Sequence, residues 1–277
     1  MLKKVKDGSS ENISADAPFS AKIKTFRMIH SSYFWEIHFR DNLTKQRVDW
    51  SIQPNITNEE KENILYSLKA WQLGETSDGK HLLAAAAKYA DKIGDAEYVD
   101  AVRLFIKEEQ KHGNNLGLYI DAIGEKRVKK DWGDTLFRKV RYLNTSMELW
   151  TIAVIIVESA AQVFYQALHD ASNCKLLKSI CNDIIIDEAH HIKFQNERMY
   201  IIFQEKNFYN KAFSLLCYSL LFFGTIHAIW LGHGKAFKAG GVSKKDFFRQ
   251  MYYKFFSSMK FLHSSAMEEK IELQMGV

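Results

Sequence analysis

No proline follows Pro54, so more than 220 consecutive residues of this 277-residue chain run without a helix-breaker. That absence points to an all-α protein. Start and stop signals divide the run. Thr57 with Glu60 forms a capping-box pattern that opens a helix carrying Trp71, Glu75, Leu82 and Tyr89 and stopping at Gly94. Asp95 caps a second helix, which ends at Gly124, and Thr145 with Glu148 opens a third. A fourth starts at Ser172 or Asn173 and runs to about Gln204. A fifth spans roughly 208–234, and Ser243 caps a sixth over about 244–270.

Two strings on these helices pair a carboxylate with an imidazole one helical turn apart: Glu109 with His112, and Glu188 with His191. A further glutamate precedes each pair by about one helix: Glu75 lies 34 residues before Glu109, and Glu158 lies 30 before Glu188. A single Glu-x-x-His has little weight, whereas two copies with matching upstream glutamates are hard to obtain by accident. The apolar rhythm is an independent check. Val102, Phe105, Glu109, His112, Leu116, Tyr119 and Ile123 step by threes and fours; so do Thr151, Val154, Glu158, Ala161, Tyr165 and Leu168. Leu177, Cys181, Ile184, Glu188, His191 and Gln195 continue the pattern, so each ligand candidate there falls on the stripe that faces a core. Four carboxylates and two imidazoles converging in a four-helix bundle are the ligand set of a di-iron or di-manganese site. Glu158 is the sharpest case, because it interrupts the apolar run from Trp150 to Val157, and a buried unpaired carboxylate costs on the order of several kcal/mol.

Three scattered cysteines, Cys174, Cys181 and Cys217, make no disulfide framework and no C-x-x-C pair, which excludes a rubredoxin-type iron centre or a zinc knuckle. No apolar run follows Met1–Asp7, so no secretion signal is expected and the expected location is cytoplasmic. The basic residues belong to no nucleic-acid recognition fold.

The strings Glu108-Glu109-Gln-Lys-His112 and Asp187-Glu188-Ala-His-His191 resemble the paired (Asp/Glu)-Glu-x-Arg-His motifs of the ferritin-like di-iron superfamily. That superfamily includes acyl-carrier-protein desaturases, bacterial multicomponent monooxygenases, ribonucleotide reductase small subunits and rubrerythrins. The resemblance covers about residues 57–205 and is specific for the metal site rather than the substrate. It implies that Glu75 and Glu158 are outer carboxylates, that Glu109 and Glu188 bridge two metals, and that His112 and His191 each give one nitrogen. Glu108 and Asp187 become the acceptors that fix the imidazole tautomers. There are departures. Lys111 and His190 replace the motif arginine, which loses its bidentate hydrogen bonding. Leu116 stands where radical-forming subunits have a tyrosine, and Ile184 where N-oxygenases have an extra histidine. His190, His227 and His233 are read as packing or surface groups.

The expected fold is therefore all-α, a ferritin-like four-helix bundle with two extra C-terminal helices and an N-terminal extension. Residues 1–16 are expected as a disordered tail, 17–56 as a covering segment, 57–205 as the bundle, and 206–277 as helices packed on it. Phe105, Gly113, Val154, Ala161, Ile184 and Phe194 are expected to line an apolar pocket beside the metals. Two irons roughly 3.5–4 Å apart, with manganese or a mixed Mn/Fe pair as alternatives, would reduce O2 and oxidise an apolar or aromatic substrate by desaturation, hydroxylation or N-oxygenation. The partners implied are O2, that substrate, an electron donor such as a ferredoxin or reductase, and an acidic carrier protein. The +5 charge and the cluster Lys126, Arg127, Lys129, Lys130, Arg138, Lys139 and Arg141, read as a loop, suit acidic partners. A homodimer is left open. The alternatives are ferritin- or rubrerythrin-like iron or peroxide handling, and a non-catalytic membrane-associated bundle. The last rests on Ala212–Gly234, 23 residues without a charged side chain between Lys211 and Lys235, read as a buried or membrane-surface helix rather than a span.

Overall fold

The computed structural model of the chain describes residues 27–142, 146–264 and 266–268. The elements among them are β1 (Arg27–Ile29), α1 (Ser32–Leu43), α2 (Asn58–Glu75), α3 (Lys80–Ile93), α4 (Glu97–Ala122), α5 (Trp132–Tyr142), α6 (Met147–Asp170), α7 (Lys175–Gln204), α8 (Phe208–Ala239), α9 (Lys244–Leu262) and β2 (Ala266–Glu268). The strands form one short parallel pair, Arg27 to Ala266 through Ile29 to Glu268. The expectation for residues 1–16 lies outside the described residues.

Four helices make the bundle: α2, α4, α6 and α7. Helices α4, α6 and α7 each pass between two apolar layers, one containing Phe105, Val154 and Phe194, the other Leu116, Tyr165 and Ile184, while α2 adds Leu68 to the second layer and ends at Glu75. Helices α4 and α6 run from the first layer to the second and α7 from the second to the first, and α2 runs from Leu68 in the second layer to Glu75 at the centre, in the sense of α7. A long crossover containing α5 makes the α4–α6 pair parallel. The most extensive interface is α6 on α7. Helix α6 is buried nearly all round, as its continuous apolar sequence requires.

Several boundaries differ from the sequence reading. The single helix expected from Thr57 to Gly94 is two, because the chain breaks at Thr76–Gly79 and Gly79 adopts φ 64°, a left-handed conformation that glycine takes without strain. The capping box of Thr57 and Glu60 forms as expected. Asp95 accepts from the Tyr98 amide at 3.2 Å. Ser146 caps α6, while Thr145 lies outside the described residues, and Glu148 turns away to Ser214, Tyr218 and Lys206. Cys174 is the N-cap of α7, with the Ser172 hydroxyl accepting its amide at 3.0 Å. Helix α8 runs to Ala239, and α9 stops at Leu262 rather than near 270. The basic cluster is a loop only in part: Lys126, Arg127, Lys129 and Lys130 precede α5, whereas Arg138, Lys139 and Arg141 lie on it, and Arg127 and Arg138 are paired with Asp121 and Asp134.

The segment before α2 lies across the bundle. Helix α1 packs on α4, and Trp35 donates to Glu197 of α7 at 2.8 Å. Arg198 donates to the Ser32 hydroxyl at 2.7 Å, and that hydroxyl donates to Asp95 at 2.7 Å. This tie sets the far end of α1, Asn42, directly behind the acidic centre.

Candidate metal centre

The six ligand candidates meet where the four bundle helices cross between the two apolar layers. Ligand atoms of Glu109, Glu158, Glu188 and His191 form one group within 4.8 Å of one another, and those of Glu75, Glu109 and His112 form a second. Glu109 belongs to both. His191 Nδ1 lies 2.7 Å from Glu109, 3.5 Å from Glu188 and 3.9 Å from Glu158. His112 Nδ1 lies 3.8 Å from Glu188 and 4.0 Å from Glu109.

Behind the imidazoles is an exchange that spacing alone does not reveal. Glu108, from the first motif, accepts from Nε2 of His191 at 2.8 Å. Asp187, from the second, accepts from Nε2 of His112 at 3.1 Å. Each motif therefore orients the histidine of the other, and α4 and α7 are locked in register. With Nε2 committed as donor, Nδ1 of each ring is left pointing into the centre. Asn42 donates to both acceptors, Glu108 and Asp187, the latter at 2.8 Å. Arg47 donates to Asp187 at 2.8 Å and to Asp183, while Lys111 lies 3.4 Å from Asp183. A guanidinium is thus supplied from the segment between α1 and α2, where the motif position holds Lys111. Replacing Asn42 with alanine leaves two buried carboxylates short of a donor and loosens both imidazoles. We expect metal affinity to fall about 10–100-fold with little change in helix content, measured by metal titration and circular dichroism.

The electrostatics are those of a site short of positive charge. Burial and the adjacent Glu158 push the Glu109 and Glu188 carboxyls well above the ordinary carboxylate range. Burial acts on Glu158 too, but the adjacent Glu188 carboxyl and His191 imidazole hold it below that range. Burial opposes charge on His191, yet Glu109 and Glu108 raise its imidazole well above the ordinary histidine value. Both oxygens of Glu188 and Nδ1 of His112 are buried without a hydrogen bond, and Oε1 of Glu109 and Nδ1 of His191 face only each other, in an ion-pair contact that lacks hydrogen-bond geometry. Orphaned buried acceptors are rare, and here they converge on one point, which fits a bound cation. Two divalent ions would balance the four carboxylates.

One neighbour escaped the sequence reading. Tyr165, on the inward stripe of α6, donates to Glu75 at 2.6 Å, and burial together with that carboxylate raises its phenol well above the ordinary value. Its position seven residues after Glu158 was the available signal.

A cavity of about 430 Å³ opens beside the centre. Phe105, Val154 and Ala161 lie in its wall, together with Glu75, Glu109 and Glu158. Gly113, Ile184 and Phe194 are absent from its wall. Ile184 and Phe194 lie in the apolar layers, packed with no exposure beyond 1%. A Cβ on Gly113 would stand 2.8 Å from Thr76 and 3.0 Å from the backbone carbon of Glu75, so this glycine admits the end of α2 against α4. Helix α2, the turn after it, α3, α5 and α8 complete the wall, with Trp71, Leu82, Trp132, Phe137, Leu221 and His233 among its residues. Burial lowers His233 to about 4, and it hydrogen-bonds Ser67 at 3.0 Å. His190 and His227 bond backbone carbonyls on their own helices.

No protein-family model matches the sequence, and no curated protein does. Solved structures of R2-like ligand-binding oxidases do resemble it. A tyrosine-to-phenylalanine variant with anaerobically reconstituted Mn/Fe cofactor superposes with TM-score 0.58 at 16% identity, over 84% of this chain and 92% of that one. An alanine-to-phenylalanine variant, also with anaerobically reconstituted Mn/Fe cofactor, gives 0.57 at 17%, over 85% and 94%. The chain has the ferritin-like fold. Identity this low carries the ferritin-like architecture and no further, so the chemistry must be argued from the centre itself.

Proposed function

We propose that the protein is a dimetal oxidoreductase that reduces O2 at the centre of the bundle and oxidises an apolar or aromatic substrate held in the adjoining cavity. The observation that carries this reading is the convergence of orphaned, buried carboxylate and imidazole atoms on one point. The solved relatives hold a Mn/Fe cofactor, which supports the same pair here, with two irons as the alternative. Glu75, Glu109, Glu158 and Glu188 would hold the ions together with Nδ1 of His112 and His191. Such a pair, once bound, supplies electrons to O2 one from each ion.

The residues of this chain do the rest. Glu108, Asp187 and Asn42 hold the imidazoles so that both present a lone pair. Tyr165 stays a phenol and donates to Glu75, which occupies one oxygen of that carboxylate and keeps a proton at the edge of the centre. Phe105, Val154 and Ala161 exclude water from the side where Glu109 and Glu158 face the cavity. The volume is that of an ordinary small-molecule site, within roughly 300–1,000 Å³, which favours substrate oxidation over iron storage or peroxide removal. Completion of a turnover needs an external electron donor, for which a ferredoxin or reductase is the candidate class.

The reading is tested by anaerobic reconstitution with ferrous or manganous salt, elemental analysis, and measurement of O2 uptake. About two metals per chain and rapid O2 consumption are expected; failure to retain metal removes the proposal. Filling the cavity separates its role from the metals. Ala161→Phe should keep both metals, yet weaken binding of an apolar fluorescent probe roughly tenfold. Unchanged probe binding would mean that the cavity is not where apolar ligands go.

A further inference from the structure

Helix α8 is half a core helix. Its inner stripe, Ser214, Tyr218, Phe222 and Ile226, is buried against the rest of the protein, and Glu148 of α6 accepts from both Ser214 and Tyr218. Its outer stripe is Tyr209, Phe213, Leu216, Leu220, Phe223 and Leu231, with Tyr209, Leu231 and Phe213 exposed to 81%, 80% and 68%. No acidic residue occurs anywhere in α8, and its charged residues are Lys211, Lys235 and Lys238, near its two ends. Next to it, α9 exposes Tyr253 and Phe256 and carries five basic residues against Asp246. Soluble monomers rarely expose so many large apolar side chains along one line, and the pattern of an apolar face edged by lysine suits an anionic lipid surface.

The cavity supplies a second observation. Leu220, Leu221, Gly224, Thr225 and Ala228 of the same helix form part of its wall, and Leu220 belongs to both the wall and the exposed stripe. Apolar surface therefore continues from the outside of α8 to Glu109 and Glu158.

We propose that the outer face of α8, extended by Tyr253 and Phe256, docks this protein on an anionic membrane, with the helix lying in the plane of the interface. Helix α8 is long and apolar enough to cross a bilayer, but its inner stripe is committed to the protein, so it lies on the surface rather than through it. A second copy of the chain fits the face less well. Related by a two-fold axis, antiparallel α8 helices would bring Lys211 of one near Lys235 of the other, a like-charge contact at both ends. Delivery of a lipid-dissolved substrate into the cavity rests on the oxidoreductase reading above; the docking itself does not.

The test is co-sedimentation of the full-length, metal-loaded protein with vesicles of phosphatidylcholine alone or mixed with phosphatidylglycerol. Binding to the mixed vesicles is expected, at least about tenfold stronger than to phosphatidylcholine and weakened by salt. Phe213→Glu with Leu216→Glu should lower it by a further tenfold or more, with helix content and metal content unchanged. Tyr253→Glu on α9 should weaken it less. Absence of the intact protein from both vesicle pellets would overturn the proposal. So would a dimer in sedimentation velocity that the double variant dissociates. Because the readout needs no turnover, loss of docking with metal and O2 uptake intact overturns the membrane surface alone, and a failure of metal loading overturns the oxidoreductase reading alone.

Discussion

Glu188→Gln will give a folded protein that holds far less than two metals per chain. Both oxygens of Glu188 are buried without a hydrogen bond, beside Glu158, His112 and His191. In the metal-free protein this carboxyl is held well above the ordinary range by burial and by Glu158, so ionising it costs stability. Glutamine keeps the shape and removes that cost, but it offers the ions a neutral ligand and an N–H group where a carboxylate stood. We expect affinity to fall at least ~100-fold, about 2.7 kcal/mol, while the metal-free protein gains on the order of 1–3 kcal/mol in stability. Elemental analysis and melting of the metal-free variant check the two halves separately. A full metal complement in the variant would rule out Glu188 as a ligand. Glu158→Ala should lose metal equally, and with a cavity left in place of the side chain it should not gain stability.

Metal loading will raise the melting temperature, and the increase will grow with pH. Glu109 and Glu188 have folded-state pKa values above their unfolded ones. The metal-free fold thus binds protons that the unfolded chain has released. Its stability from these groups is full below the unfolded carboxylate value and declines as pH rises toward the raised values. His191 acts in the same direction, since its pKa is also raised and its contribution is lost as pH climbs through the folded value. Glu158 and Asp187 are lowered and act oppositely, but their loss occurs in acid, below the ordinary carboxylate range. Bound divalent ions replace the protons, so binding tightens as pH rises. With metal at ~100 times its dissociation constant the gain is about 2.7 kcal/mol, or roughly 5–10 °C for a chain of this size. Calorimetric scans with and without manganous ion at pH about 5.5 and about 7.5 measure it, and a chelator should reverse it. A gain that shrank with rising pH would contradict protonated carboxyls in the empty centre.

The candidate ligands could be picked out from the chain because their spacing is local. A turn of helix puts Glu109 beside His112 and Glu188 beside His191 whatever the remainder does. The charged residue at Glu158 betrays itself inside an apolar run. Helix starts with side-chain caps, Thr57 and Ser243, were equally visible, because the cap is made within three residues. The break after Glu75 was not. Thr76–Gly79 carries a glycine and no proline, and helical periodicity resumes in α3, so only the packed structure decides that the chain turns there. The pocket expectation failed at Gly113 for a similar reason: a small residue can mark empty space or a close helix approach, and here α2 fills the space.

By itself, then, the sequence determined the helical class, the six residues with the right chemistry, and the face of each helix on which they stand. These follow from the helical repeat and from the cost of burying charge. The tertiary structure alone decided which carboxylate orients which histidine, that Asn42 and Arg47 close the centre from behind, that Tyr165 reaches Glu75, and that α8 walls the cavity. Those pairings join residues from 66 to 145 positions apart for Asn42 and 83 for His191. No local rule relates such positions; the packing of whole helices sets them.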